Sequence, residues 1–125
     1  MRHARHYTLD EARARLPWVA ERLAAMRSAQ ERLTDAEARE ALAGGSPTNG
    51  GGSRGKQVGE AFRDLRADVA AFTELEIVVR DLERGLVDFP AIREGREVYL
   101  CWVHGEPDIA YWHDLDAGFA GRQAL

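Results

Sequence analysis

The chain holds one cysteine, Cys101, one lysine, Lys56, and no apolar run long enough to span a bilayer. A lone cysteine cannot close an internal disulfide, so the fold is not expected to rest on oxidation, which suits a reducing cytoplasm. A membrane helix needs about 18 or more apolar residues, so no membrane association is expected. The opening MRHARHYTLDEA is positively charged with no apolar stretch behind it, unlike a secretion signal. A basic face is also missing. The charge balance is 17 Lys and Arg against 21 Asp and Glu, net -4, and the two signs interleave, as in RDLRAD. Nucleic acid is therefore not an expected partner, because phosphate neutralisation needs clustered cations. HExxH, a paired Cys-x-x-Cys and a phosphate-cradling glycine loop are all absent.

What remains is an ordinary globular composition, 45% hydrophobic and 30% charged over 125 residues. That is one domain, 1–125, able to bury a core without disulfide or metal staples. The pattern changes near residue 75, from a helical half at about 8–75 to a β half at about 76–125. Thr8-Leu9-Asp10-Glu11 is a capping box. Pro17 suits a first helical turn, so a short helix at 9–15 is expected to lead into a longer one over 16–43. Leu16, Val19, Leu23, Met26 and Leu33, with Gln30 filling one step, trace a narrow seam. Thr34–Glu37 is a second capping box at which the helix can break. GGSPTNGGGSRG, 44–55, has the composition of a flexible linker. A second helix is expected over 56–75, with Val58, Phe62, Leu65, Val69 and Phe72 on one face. Two such helices read as an antiparallel hairpin whose seams cover the β half or a second copy of the chain.

EIVVR, LVDFPAI, REVYLCWV and DIAYWHD are strand runs separated by turn signals. The fold class is α+β, a long helical hairpin on a three- to four-stranded antiparallel meander. Pro90 predicts that its strand is an edge or bulged. A two-residue turn at Glu94-Gly95 pairs Ala91 with Val98, Phe89 with Leu100 and Val87 with Trp102. A turn at Gly105-Glu106 pairs Trp102 with Ile109, Leu100 with Tyr111 and Val98 with His113. Alternation then puts Val87, Phe89, Ala91, Val98, Leu100, Trp102, Ile109 and Tyr111 on one apolar face, with His113 at its margin. Asp88, Tyr99, Cys101 and Trp112 share the other. Asp88 is a carboxylate in an apolar strand and needs a partner; Arg122 and Arg80 are the candidates.

GLVDFP, AIREGREVYLCW, GEP and IAYWHDLDAGFAGRQ, within 85–123, resemble the signature of the bacterial domain-of-unknown-function family 2203. YTLDEARARLPWV and IVVRDLERG resemble its opening helix and the lead-in to that signature. The resemblance spans most of the chain except 34–55 and implies no activity. It points to Asp81, Gly85, Asp88, Cys101, Trp102, Glu106, Trp112, His113, Gly118 and Arg122, part of which is turn glycine and core aromatic. At Arg80 the family more often carries lysine, so the positive charge is kept.

Three chemistries are weighed against plain packing. A divalent metal is the first, with His113, Asp114, Asp116 and Glu106 as ligands, since imidazole with carboxylates suits Zn, Mn or Fe. The predicted register does not converge these groups on one point, so a structural histidine or a site completed across a homodimer stands beside it. Nucleophilic catalysis by Cys101 is the second, and it is disfavoured because mid-strand thiols are usually inert and His113 is placed on the other face. No catalytic residue is assigned. A small-ligand pocket built from Asp88, Cys101, Trp112, Arg122 and Tyr99 is the third, against an Arg–Asp tie that pins the C-terminus. The expectation is a cytoplasmic binding or assembly module without its own catalysis, a homo-oligomer through the helical seams being one form. A metal-dependent enzyme is the alternative.

Overall fold

The structure, a computed structural model, describes residues 1–42 and 53–125, with side chains described for 1–35 and 55–125. Two helices, α1 (Leu9–Leu42) and α2 (Ser53–Leu75), precede five strands: β1 (Val78–Asp81), β2 (Leu86–Arg93), β3 (Arg96–Val103), β4 (Tyr111–Asp114) and β5 (Gln123–Ala124). The strands form one antiparallel sheet in chain order. The architecture is α+β, as predicted, with one strand more than the upper bound. That strand, β5, is two residues of the C-terminal GRQAL stretch and carries no alternation to read.

The capping box forms. Glu11 N–H donates to Thr8 Oγ1 at 3.1 Å, and Thr8 N–H to Glu11 Oε1 at 3.0 Å. The predicted division of the first helix at Pro17 is corrected: α1 runs through it unbroken. An interior proline costs about 3 kcal/mol. Continuity aligns Ala12, Val19, Leu23, Met26 and Ala29 on one buried face, which outweighs that cost. Ala29, not Gln30, fills the missing step of the seam. Nor does the helix stop at Thr34, whose hydroxyl bonds back to the Gln30 carbonyl. Of the expected linker, 44–52 lies outside the described residues, while Ser53–Gly55 already belong to α2.

The seam of α2 is rotated from the expected one. Ala61, Asp68 and Phe72 are buried; Val58, Phe62 and Val69 are exposed. Asp68 is held by Arg22 of α1 at 3.1 Å, and Phe72 packs on Trp18. Val87, Phe89, Ala91, Val98, Leu100, Trp102 and Trp112 of the sheet merge with the buried helical residues in one core.

The β2–β3 hairpin has the predicted register, Arg93 opposite Arg96 through Val87 opposite Trp102. Glu94 (φ 51°) and Gly95 (φ 77°) are both left-handed, the two-residue turn whose twist matches the strands. Pro90 does not put β2 at the sheet edge; β2 lies between β1 and β3. However, β1 pairs only with Leu86–Asp88, and beyond it the Pro90 carbonyl accepts the Tyr7 amide at 2.7 Å. The missing N–H thus points to the side where no strand pairs.

The β3–β4 register is corrected by one residue: Leu100 faces Trp112, Tyr99 faces His113 and Cys101 faces Tyr111. Residues 104–110 form a loop instead of a tight turn. Glu106 Oε1 accepts the Val103 amide, and its carbonyl accepts Trp102 Nε1. Asp108 caps the Ile109 amide. Ile109 still reaches the core, but from the loop. The slip exchanges the two faces of β4. Trp112 goes to the core, Tyr111 is displaced from it, and His113 joins the face of Asp88 and Cys101.

Candidate functional site

That second face carries a buried polar cluster. Asp88 on β2 lies opposite Cys101 on β3, and His113 on β4 lies opposite Tyr99. Asp88, Cys101 and His113 are each at most 2% exposed. Among the described residues this is the set of metal-ligating types that converges: one donor atom from each lies within 4.8 Å of the others.

Hydrogen bonding orients every member. His113 Nδ1 lies 2.7 Å from the Asp114 carbonyl, which can only accept, so Nδ1 carries a proton. His113 Nε2 is thereby aimed at Asp88 Oδ1, 2.9 Å away. Arg80 on β1 donates from Nε to Asp88 Oδ2 at 3.0 Å and stacks on the Tyr99 ring. The carboxylate therefore has a fixed cation on one oxygen and an imidazole on the other. Burial pushes the Cys101 thiol up to about 12, and the Asp88 charge adds to the shift while Arg122 opposes it. A thiol so held stays protonated and is a poor nucleophile at neutral pH.

The cluster forms the floor of a 350 Å³ pocket walled by Leu86, Leu115 and Phe119, with Arg80 and Arg2 at its polar side. Arg2 arrives on the N-terminal arm, residues 1–8. Glu97 accepts the Arg2 and His3 amides and His6 Nε2 (2.7 Å). Glu76 accepts the Ala4 and Arg5 amides. His3 Nε2 lies 2.6 Å from the Tyr99 hydroxyl, and Arg2 Nη2 donates to Asp116 at 3.0 Å.

The model of the family described as "Uncharacterized conserved protein (DUF2203)" matches residues 5–125. The chain belongs to this family. Its description assigns no activity. Comparison with the curated proteins and with the solved structures gave no match. No helix among the described residues is long and apolar enough to cross a membrane.

In this DUF2203 protein the residues singled out from the sequence do not all meet at the pocket. Asp88, Cys101 and Tyr99 share the pocket-side face. Trp112 does not; it lies across the sheet in the core. Arg122 does not reach Asp88. Its Nη2 donates to both Glu106 carboxylate oxygens, each at 2.8 Å, and its guanidinium lies over the Tyr111 and Phe119 rings. The tie that pins the C-terminus is thus Arg122–Glu106, and Arg80 is the partner of Asp88. The set His113, Asp114, Asp116 and Glu106 does not converge, because Asp114 pairs with Arg96, Asp116 with Arg2 and Glu106 with Arg122. Asp81 accepts the Arg84 amide in the β1–β2 turn. Gly85 there is left-handed (φ 69°), and an added Cβ would lie 2.5 Å from His104 Cβ. Sequence reasoning missed Arg2 and His3, whose role comes from an arm without periodicity. It also parted His113 from Cys101 through the register slip.

Proposed function

We propose that the protein is a metal-binding module whose centre takes one divalent transition ion of the zinc class through Asp88 Oδ1, Cys101 Sγ and His113 Nε2. One observation carries this reading: a carboxylate, a thiol and an imidazole converge within 4.8 Å at a pocket floor. Nitrogen, sulfur and oxygen donors suit zinc, and three protein ligands leave a position open. The surroundings support it. A ligating histidine ordinarily donates its other ring N–H to a carbonyl, as His113 does to Asp114, and a ligating carboxylate is itself held, as Asp88 is by Arg80. Ligand atoms around zinc sit about 3.3–3.8 Å apart, from bonds of about 2.0–2.3 Å. A bound ion would therefore part Asp88 from His113 slightly and draw Cys101 in, with release of the thiol proton and of the proton shared in the Asp88–His113 hydrogen bond. Binding needs no reaction of its own, and a reducing compartment such as the cytoplasm keeps the thiol available.

The test is equilibrium competition for Zn²⁺ between chelator-stripped, tag-free protein and a chromophoric chelator. One equivalent is expected to bind. Cys101→Ser and His113→Gln should each weaken binding on the order of 100-fold while circular dichroism stays native. Binding that ignores both substitutions would sink the reading.

Self-assembly is a second reading, favoured by the exposed stripe Val58, Phe62 and Val69, at 37%, 52% and 48%. The four- and seven-residue spacings put the three on one side of α2, as in a helix that packs on a second copy. The stripe continues into an apolar groove lined by Met26, Phe72, Ile77 and Val79. Light scattering should give a dimer that Phe62→Glu dissociates; a wild-type monomer at 100-fold higher concentration than the assay needs would end this reading.

A further inference from the structure

The pocket above the Asp88–Cys101–His113 cluster has its own chemistry, set by two guanidinium groups. Arg80 uses Nε on Asp88, and among the described residues no protein acceptor takes its Nη groups. Its plane is steadied by stacking on Tyr99, with the guanidinium carbon 5.0 Å from the ring centroid. Arg2 uses Nη2 on Asp116, and its backbone is anchored by Glu97. Both line the pocket. Each guanidinium has five donors in a fixed fork, so most of that capacity is unspent.

The charge balance points the same way. A divalent ion in the cluster is neutralised by the Asp88 carboxylate and a Cys101 thiolate. Arg2, Arg80 and Asp116 then remain at the pocket wall, two positive charges against one negative. Leu86, Leu115 and Phe119 supply the apolar part of its wall. Such a space favours an anion with several acceptor oxygens and a small apolar body.

We infer that the open metal position is filled by a small oxyanion, a carboxylate or a phosphate group, with one oxygen on the ion and its remaining acceptor capacity met by Arg80 and Arg2. This rests on the metal reading of the same cluster. The N-terminal arm is then part of the ligand site, because it delivers Arg2.

The experiment uses the full chain loaded with Co²⁺, whose visible bands report its coordination. Sodium acetate and, separately, sodium phosphate at low millimolar concentration are titrated in at constant ionic strength set with perchlorate. A saturable spectral change is expected with at least one anion. A response to acetate alone assigns a carboxylate ligand, and one to phosphate alone a phosphate ester. Arg2→Ala, which touches no metal ligand, should keep the cobalt spectrum but weaken the anion by about tenfold or more, the loss of a charge-assisted hydrogen bond. A cobalt spectrum that neither anion moves overturns the inference and leaves the metal site standing. Equal anion affinity in wild type and in Arg2→Ala overturns it too. If the stripped protein takes up no cobalt, this inference and the metal reading fall together.

Discussion

The two faces of the sheet are both buried, by different physics. The helix-side face, Val87, Phe89, Ala91, Val98, Leu100, Trp102 and Trp112, is dry and apolar, and its stability comes from area removed from water. The opposite face holds Asp88, Cys101 and His113, at most 2% exposed, under an arm and a loop instead of a helix. There each group is tolerated only because another satisfies it: Arg80 and His113 for Asp88, the Asp114 carbonyl for His113. Burial by packing accepts any residue of the right volume; burial by hydrogen bonding requires particular partners. The second face is therefore where chemistry is to be sought.

Three measurements sharpen or break this contrast. Phe89→Ala removes a fully buried ring from the packed face and should cost about 4 kcal/mol in urea unfolding. Its residual folded fraction should bind Zn²⁺ like wild type, since no ligand is touched. Weakened binding in the folded fraction would mean that the faces are not independent.

Asp88→Ala should cost less, about 3 kcal/mol, mostly because His113 is left buried without its partner. Unlike the core mutant, it should abolish metal binding in protein that remains folded. A cost under about 0.5 kcal/mol would show that water replaces the carboxylate readily, and the hydrogen-bonded face would lose its distinction.

The smallest effect is the acid response of the arm over this face. The hydrogen bond from His6, helped by the His3 and Arg2 amides against a burial penalty, holds the Glu97 carboxyl near 2, below its ordinary 4.5. Between those values the unfolded chain binds a proton that the folded chain does not. Glu97 thus contributes its full stability above pH 4.5, and the contribution is lost as pH falls toward 2. Melting temperature against pH should show a slope in that window that Glu97→Gln flattens. Parallel profiles would mean that the arm is not held by this carboxylate.

The packed face was the more legible one. Alternation over 86–103 and a Glu-Gly turn were enough to predict Val87, Phe89, Ala91, Val98, Leu100 and Trp102 on one side, and each is buried there. The turn carries that inference, because two left-handed residues admit one register. The polar face was half legible. Asp88 beside Cys101 followed from the same hairpin. His113 did not, since its place depends on a loop whose length is decided by Glu106 and Asp108 bonding to the backbone and by Pro107 offering no N–H. One residue of slip in that loop moved every side chain of β4 across the sheet. Arg80 as the partner of Asp88 was one of two candidates, and the stretch carrying Arg2 and His3 left no signal, because residues 1–7 have neither period nor cap.

The sequence by itself determined what local rules decide: the α1 start at its capping box, the β2–β3 register, the apolar set of the core and family membership over 5–125. The tertiary structure alone decided what depends on long-range closure. It took α1 through Pro17, turned Phe62 and Val69 outward, and brought His113 to Cys101 and Arg80 to Asp88. The division follows the range of the forces. Caps and tight turns are satisfied within a few residues, whereas a buried carboxylate must find its partners wherever the packed chain places them.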